Sequence, residues 1–158
     1  MKKLTIFLFF AFMLVFASYG QNDFLLLNRN RPLIEVEING VKTAMLIDTG
    51  SSVNIICTSK LSKFGSSDKA IKNYAKTISG VRTVYTIKNV NINVKSRNAS
   101  TFYSVDIEAS CKSIEAETGI EVVGILGTPA IKELGMIIDL SRGIVTINKK
   151  NSNTALTD

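Results

Sequence analysis

The sequence predicts an all-β fold, a small closed β-barrel with one or two short helices. Short apolar runs, some alternating and some continuous, recur along the chain and are separated by turn residues, which is typical of strands. Helix signals are confined to two brief stretches, Thr58 to Phe64 and Thr128 to Leu134. Many short strands with few helices favour a closed or sandwich-like β architecture.

The first two strands are expected to form a hairpin. Ile34, Val36 and Ile38 alternate with glutamates, which indicates a half-buried strand. Asn39-Gly40 then predicts a type I′ turn, because that turn needs positive φ at both central residues. The return strand, Val41 to Ile47, ends in three consecutive apolar residues. We therefore expect burial on both of its faces where the chain enters Asp48.

The middle of the chain continues this pattern with weaker signals. Strands are expected over Val53 to Ile56, the two runs around Ser79-Gly80, Val90 to Val94, and Phe102 to Ile107. Thr58 to Phe64 is expected to be a helical turn closed by Gly65. Residues 95–100 are polar and predict a turn, whereas residues 109–119 fit no single pattern.

The last third has sharper signals. Val122 to Leu126 is an apolar run that predicts a buried strand. In the helix that follows, Thr128 is expected to cap the start, Pro129 suits the first turn, and Gly135 suits the residue past the end. Two further apolar runs, at 136–139 and 144–147, predict a closing hairpin.

The N-terminus has the pattern of a secretory signal peptide. Lys2 and Lys3 precede an apolar run over residues 4–17, and Ser18-Tyr19-Gly20 supplies small residues for cleavage. We expect a signal peptide at 1–20, a lead-in at 21–31, one domain at 32–148 and a polar tail at 149–158. The expected location is secreted or periplasmic, with no stable membrane association after cleavage. An uncleaved membrane anchor is the alternative.

The composition narrows the chemistry. The 158 residues include no histidine, which excludes a Ser-His-Asp triad and a Cys-His pair and removes the commonest zinc ligands. We expect no metal and no organic cofactor. The formal net charge of +6 is scattered rather than concentrated in a stripe, so nucleic acid is not an expected partner.

Two cysteines and three glutamates outside these patterns can be explained by structural roles alone. Cys57 and Cys111 could form one disulfide or remain two buried thiols, and the sequence does not decide between them. Activation of Cys57 is not expected, because no histidine or basic residue adjoins it. Glu115, Glu117 and Glu121 could suggest a cation site, but a solvated loop is the preferred interpretation.

Three features coincide in one pattern. Asp48-Thr49-Gly50-Ser51 follows a buried strand, a strand-turn-strand with Gly80 at its tip comes about thirty residues later, and Ile125-Leu126-Gly127 precedes the capped helix. From Pro32 to Ile147 the chain resembles the retropepsin-like aspartic protease family, which includes bacterial relatives of retroviral proteases. The resemblance implies that the β-barrel is of the acid-protease type.

The resemblance assigns roles residue by residue. Asp48 matches the catalytic aspartate, and Thr49 matches the threonine whose hydroxyl locks two active-site loops together. Gly50 matches the glycine of the tight turn, and Ser51 stands where the family has serine or alanine. The remaining matches are Ile125, Leu126 and Gly127, which pack beneath the catalytic loop, and Ser79, Gly80 and Val81, which belong to a flap over the substrate.

The implied activity is aspartic endopeptidase, with a polypeptide substrate bound as an extended strand. Because the chain has one Asp-Thr-Gly, a pair of catalytic carboxylates requires two chains, and we expect a homodimer with one Asp48 from each subunit. Asp139 is the alternative second carboxylate within one chain, although its position predicts a turn role.

Other interpretations remain open. The chain could be a non-catalytic peptide-binding module on the same fold, or a monomer that grips a partner peptide with its flap edge. Asp48-Thr49-Gly50 could be a plain turn, and Gly80 an ordinary hairpin glycine.

Overall fold

In the computed structural model of the chain, residues 23–66, 72–77, 80–87, 90–99 and 101–148 are described. The strands among these residues are β1 (Asp23–Leu25), β2 (Leu33–Ile38), β3 (Val41–Ile47), β4 (Asn54–Cys57), β5 (Lys72–Thr77), β6 (Gly80–Thr86), β7 (Ile92–Val94), β8 (Arg97–Ala99), β9 (Phe102–Val105), β10 (Val122–Leu126), β11 (Met136–Asp139) and β12 (Ile144–Ile147). The helices are a 3-10 helix (Thr58–Phe64), α1 (Glu108–Thr118) and α2 (Thr128–Leu134).

The strands form a large curled sheet and a small one. The large sheet has the order β5-β6-β9-β4-β10-β3-β2-β7-β8, and the small sheet has the order β1-β12-β11. One continuous core joins them, because buried side chains of the large sheet such as Met45 and Ile56 cluster with Leu134 of α2 and Val145 of β12. The predicted all-β fold is confirmed: strands predominate, the large sheet curls into a half-barrel, and the three helices among the described residues are short.

Strand β10 has the position that matters for function. It pairs in parallel with β3 on one side and antiparallel with β4 on the other. These two neighbours are consecutive in sequence and are joined by the loop that contains Asp48. The crossover therefore inserts a strand from the C-terminal third between the two strands that enter and leave this loop.

The local sequence signals predicted most elements well. Asn39 and Gly40 have φ values of 48° and 83°, as the predicted type I′ turn requires. The bounds of β3, β10, β11 and β12 agree with the predicted runs. The segment Thr58–Phe64 is helical and is closed by Gly65 in the left-handed region, at φ 65°.

The turn predicted over residues 95–100 was wrong for Arg97–Ala99, which form a strand; residue 100 lies outside the described residues. Only Lys95 and Ser96 turn the chain, with φ values of 50° and 65°, and the Ser96 amide donates to the Asn93 side chain at 2.9 Å. Because two residues complete the turn, Arg97–Ala99 is free to pair with β7 as strand β8.

Two further elements had no usable sequence signal. The unassigned stretch 109–119 lies almost entirely in α1, where Cys111 is the buried residue and no apolar stripe marks the helix. Strand β1 lies in the predicted lead-in and pairs with β12. The predicted signal peptide, the tail at 149–158 and Ser79 lie outside the described residues.

Candidate active site

The Asp48 loop is a tight turn built from backbone hydrogen bonds. The Asp48 amide donates to the Leu126 carbonyl oxygen at 3.0 Å, which fixes the loop to the end of β10. The Gly50 amide donates to Oδ1 of Asp48 at 2.8 Å, and the Ser51 amide donates to the Asp48 carbonyl oxygen at 3.1 Å. A carboxylate can therefore follow a buried strand here, because it stays half-exposed and the Gly50 amide compensates for part of its lost hydration.

Gly127 lets the end of β10 approach the same loop. A Cβ built on Gly127 would overlap the Val53 carbonyl oxygen and lie 2.8 Å from the Ser51 carbonyl oxygen. A side chain at this position would push β10 and the loop apart. The structure thus gives a steric reason for the glycine in Ile125-Leu126-Gly127, and it buries Leu126 completely in the core.

Thr128 bonds the loop instead of capping its helix as predicted. Gly127 is the N-cap residue of α2, and the helix itself begins at Thr128. The Thr128 amide donates to the Ser51 carbonyl oxygen at 2.8 Å, and its hydroxyl reaches the Ser51 and Thr49 carbonyl oxygens at 2.9 and 3.3 Å. The cap prediction was wrong because these loop carbonyls lie within reach of the hydroxyl.

Asn54 is a support residue that the sequence reasoning missed. Its side chain is fully buried, at 0% exposure. Oδ1 accepts the amides of Gly127 and Ala130 at 3.0 and 3.1 Å, and Nδ2 donates to the Thr101 carbonyl oxygen at 3.2 Å. The available signal was a lone amide side chain in the apolar run Val53 to Ile56, since a buried polar residue must find partners.

The loop is accessible in the single chain. Asp48 and Ser51 are half-buried, whereas Thr49 and Gly50 are exposed. None of the ion pairs found among the described residues includes Asp48. The carboxylate is thus held by the Gly50 amide at a surface that is open to another molecule.

The predicted flap is an antiparallel hairpin of β5 and β6. The pairing runs as far as Thr77 opposite Gly80, so Gly80 follows the tip directly. Val81 is 68% exposed, and Ser79 lies outside the described residues. Strand β6 pairs with β9, and β9 pairs with β4, so the hairpin belongs to the same sheet as the Asp48 loop.

Asp139 is engaged in its own hairpin. Its carboxylate accepts the Ser141 hydroxyl at 2.6 Å, the Arg142 amide at 3.0 Å and the Arg142 Nε at 2.6 Å. These hydrogen bonds, that of Ser141 first, hold the pKa of Asp139 well below its ordinary value. The arrangement is that of a turn aspartate that stays charged.

Two of the three glutamates in the loose acidic cluster, Glu117 and Glu121, are paired with cations. Glu121 accepts Lys60 and Lys63 at 2.8 and 2.6 Å, and Glu117 accepts Arg31 at 2.8 Å. The hydrogen bonds from Lys60 and Lys63 lower the pKa of Glu121. Within the described ranges, no group of three or more potential metal-ligating side chains is present.

A comparison with known protein families identifies the family to which this architecture belongs. A family model described as "gag-polyprotein putative aspartyl protease" matches residues 34–133. The chain belongs to this aspartyl protease family. The match contains the Asp48 loop, the β5–β6 hairpin and β10, and it confirms the predicted retropepsin-like resemblance. No curated protein gave a significant match.

Proposed function

We propose that the protein is an aspartic endopeptidase that acts as a symmetric homodimer, with one Asp48 carboxylate from each subunit. The observation that carries the proposal is the Asp48 loop. Its carboxylate is fixed by the Gly50 amide, backed by β10 and left accessible, in a chain of the aspartyl protease family. One such loop per chain supplies half of a two-carboxylate site.

The second carboxylate is best supplied by a second copy of the chain. Asp139 is committed to Ser141 and Arg142, and Glu121 and Glu117 are committed to cations. Exposed Thr49 and Gly50 would face the partner's loop across a two-fold axis. Exposed apolar side chains on and beside the small sheet, Leu25, Ile137 and Leu140, support an association of this kind.

The proposed chemistry follows from two carboxylates at close range. Like charges about 3 Å apart disfavour double ionisation, so the pair shares one proton; aspartic proteases are the standard example of this effect. The ionised carboxylate removes a proton from a bound water, and the protonated one donates to the peptide carbonyl oxygen. Collapse of the tetrahedral intermediate transfers a proton to the leaving amine. No metal or organic cofactor takes part in this scheme.

The β5–β6 hairpin is proposed to close over the substrate. Gly80 and Val81 of this hairpin, together with Ser79 as the resemblance implies, would contact a polypeptide bound as an extended strand. Leu126 and Gly127 would hold the loop from below, as their contacts suggest. The predicted signal peptide at 1–20 would place the enzyme in a secreted or periplasmic location.

Peptide cleavage by matched aspartate variants tests this proposal. The chain from Gln21 to Asp158 is incubated with a diverse peptide mixture from roughly pH 3.5 to 7.5, and products are identified by mass spectrometry. We expect internal cuts with a bell-shaped pH profile, because a proton-sharing pair titrates in two steps. Asp48→Asn should abolish cleavage, whereas Asp106→Asn, an exposed and isosteric control, should retain it.

Mixing the subunits tests whether the site is shared. Wild type and Asp48→Asn are unfolded together in equal amounts and refolded, which gives about one quarter wild-type homodimers by random pairing. A shared site predicts about one quarter of the activity of the same total amount of wild type, and an independent site predicts about one half. Folded wild type that cuts nothing at concentrations that permit dimers would refute the enzyme proposal and favour the peptide-binding module.

A further inference from the structure

The two cysteines of the chain meet in a small buried cluster. Cys57 ends β4 and is 0% exposed, and Cys111 lies in α1 and is 3% exposed. With Leu33 and Val122 they form a cluster distinct from the main core. Both are free thiols in this structure, and Cys57 Sγ is hydrogen-bonded to the Ser59 hydroxyl at 3.3 Å. The sequence left open whether these thiols approach one another, and the fold brings them into one cluster across 54 residues, from 57 to 111.

Helix α1 has little else that attaches it to the domain. Cys111 is the buried residue of its 11 positions, and Ile114 packs only partly against the same cluster. The ion pair between Glu117 and Arg31 lies at the surface, with both side chains nearly half exposed, and such pairs stabilise weakly. A helix of this polarity is held chiefly through the small buried cluster that contains its cysteine.

We propose that Cys57 and Cys111 form an intramolecular disulfide that ties α1 to the end of β4. The proposal does not rest on the proposed protease activity. Both thiols already lie in one cluster of four buried residues, so the bond, with an S–S length of about 2.05 Å, requires side-chain movement within that cluster. The chain has two cysteines in all, so no other intramolecular pairing competes.

The oxidation balances with a disulfide donor as the oxidant, such as oxidised glutathione or a thiol–disulfide oxidoreductase. One thiolate attacks the donor, the second attacks the resulting mixed disulfide, and the S–S bond forms between Cys57 and Cys111. The donor takes up two electrons and two protons and leaves as two thiols.

The bond is expected to form while the chain folds. Burial, together with the neighbouring Cys57, raises the pKa of the Cys111 thiol to about 11, which leaves almost no reactive thiolate at neutral pH. Once α1 has packed, the reduced pair should therefore resist both oxidation and alkylation. Before α1 packs, both thiols are accessible and meet the donor.

Refolding under a defined redox poise tests the proposal. The full chain is reduced, unfolded, and refolded in a glutathione buffer with a redox potential of about −200 mV. Free thiols are then alkylated in denaturant, and the number of alkyl groups is measured by mass spectrometry. We expect more than about 90% of the protein to carry no alkyl group and to gain two only after reduction. Folded protein that takes up two alkyl groups without reduction, or that carries glutathione adducts, would overturn the proposal.

Thermal melting separates a disulfide from a merely tight thiol contact. Reduction should lower the melting temperature of the refolded wild type by on the order of 10 °C, because the bond closes a long loop in the unfolded chain. Cys57→Ser and Cys111→Ser should melt at the same temperature with and without reductant. A wild type that is equally insensitive to reductant would contradict the disulfide even if both serine variants were destabilised.

Discussion

The perturbation that best tests the structure is Asn54→Ala. Asn54 is fully buried and bonds three backbone groups that are distant in sequence, the amides of Gly127 and Ala130 and the carbonyl of Thr101. Because both amides point at one atom, that atom must be the side-chain oxygen, which fixes the orientation of the amide group. The residue thereby joins the first residues of β4 to the start of α2.

The expected cost follows from the donors that the variant leaves unpaired. Gly127 and Ala130 are themselves buried, so water cannot readily replace the lost acceptor. A buried donor without a partner costs about 1–3 kcal/mol, so two of them cost about 2–6 kcal/mol. Thr101 is exposed and its carbonyl can bond water instead. The loss is a large share of the ~5–15 kcal/mol by which a domain is normally stable.

The measurement is chemical denaturation followed by circular dichroism, since the chain has no tryptophan to report by fluorescence. The matched control is Asn98→Ala, an exposed asparagine with a long 3.4 Å side-chain bond to Asn93, which should change the free energy of unfolding by less than about 0.5 kcal/mol. If Asn54→Ala proved as stable as this control, the inferred role of Asn54 in supporting the loop would be refuted.

Two further predictions concern a glycine and a thiol. Gly127→Ala should destabilise the fold by several kcal/mol and abolish any cleavage, because the new methyl group would overlap the Val53 carbonyl oxygen. The control is Gly119→Ala, where the new methyl group lies in open space at φ 71° and should cost only about 1 kcal/mol in the same denaturation assay. In the reduced protein, the raised pKa of Cys111 should make the free energy of unfolding fall with rising pH. This contribution is fully present below about pH 9 and is lost as the pH rises through about 11, because the unfolded chain releases the thiol proton at a lower pH than the folded chain. Denaturation midpoints at a series of pH values should show this loss in reduced wild type but not in Cys111→Ala, and equal losses in both proteins would contradict it.

The sequence was most informative where the structure is decided locally. The Asn39-Gly40 turn needs only its own φ values, and β3 and β10 are apolar runs whose bounds follow from composition. The Asp48 loop was predicted because the residues that identify it, Asp48-Thr49-Gly50-Ser51, are consecutive in the sequence. Gly127 was found through the family resemblance, although its physical reason lies in the carbonyl groups of another strand.

The missed features depend on contacts between distant segments. Nothing near Asn54 in sequence indicates that two of its partners lie more than 70 residues away, and the same is true of the Thr128 hydroxyl and the loop carbonyl of Ser51. Strand β1 has three residues and gains its structure from pairing with β12. Helix α1 has no apolar stripe, so its periodicity could not distinguish it from a loop.

The candidate site thus depends on long-range assembly. Asp48 is positioned by a turn of its own, but the turn is held by Leu126, Gly127 and Thr128, which arrive some 80 residues later. Since such non-local contacts form slowly, the loop should reach its final geometry only after β10 has inserted between β3 and β4. The proposed bond from Cys57 to Cys111 would join the end of β4 to the helix that leads into β10. A disulfide at that position shortens the covalent path between β4 and β10, which must meet to build the site. Such a constraint favours the assembled form because it lowers the conformational entropy of the unfolded chain.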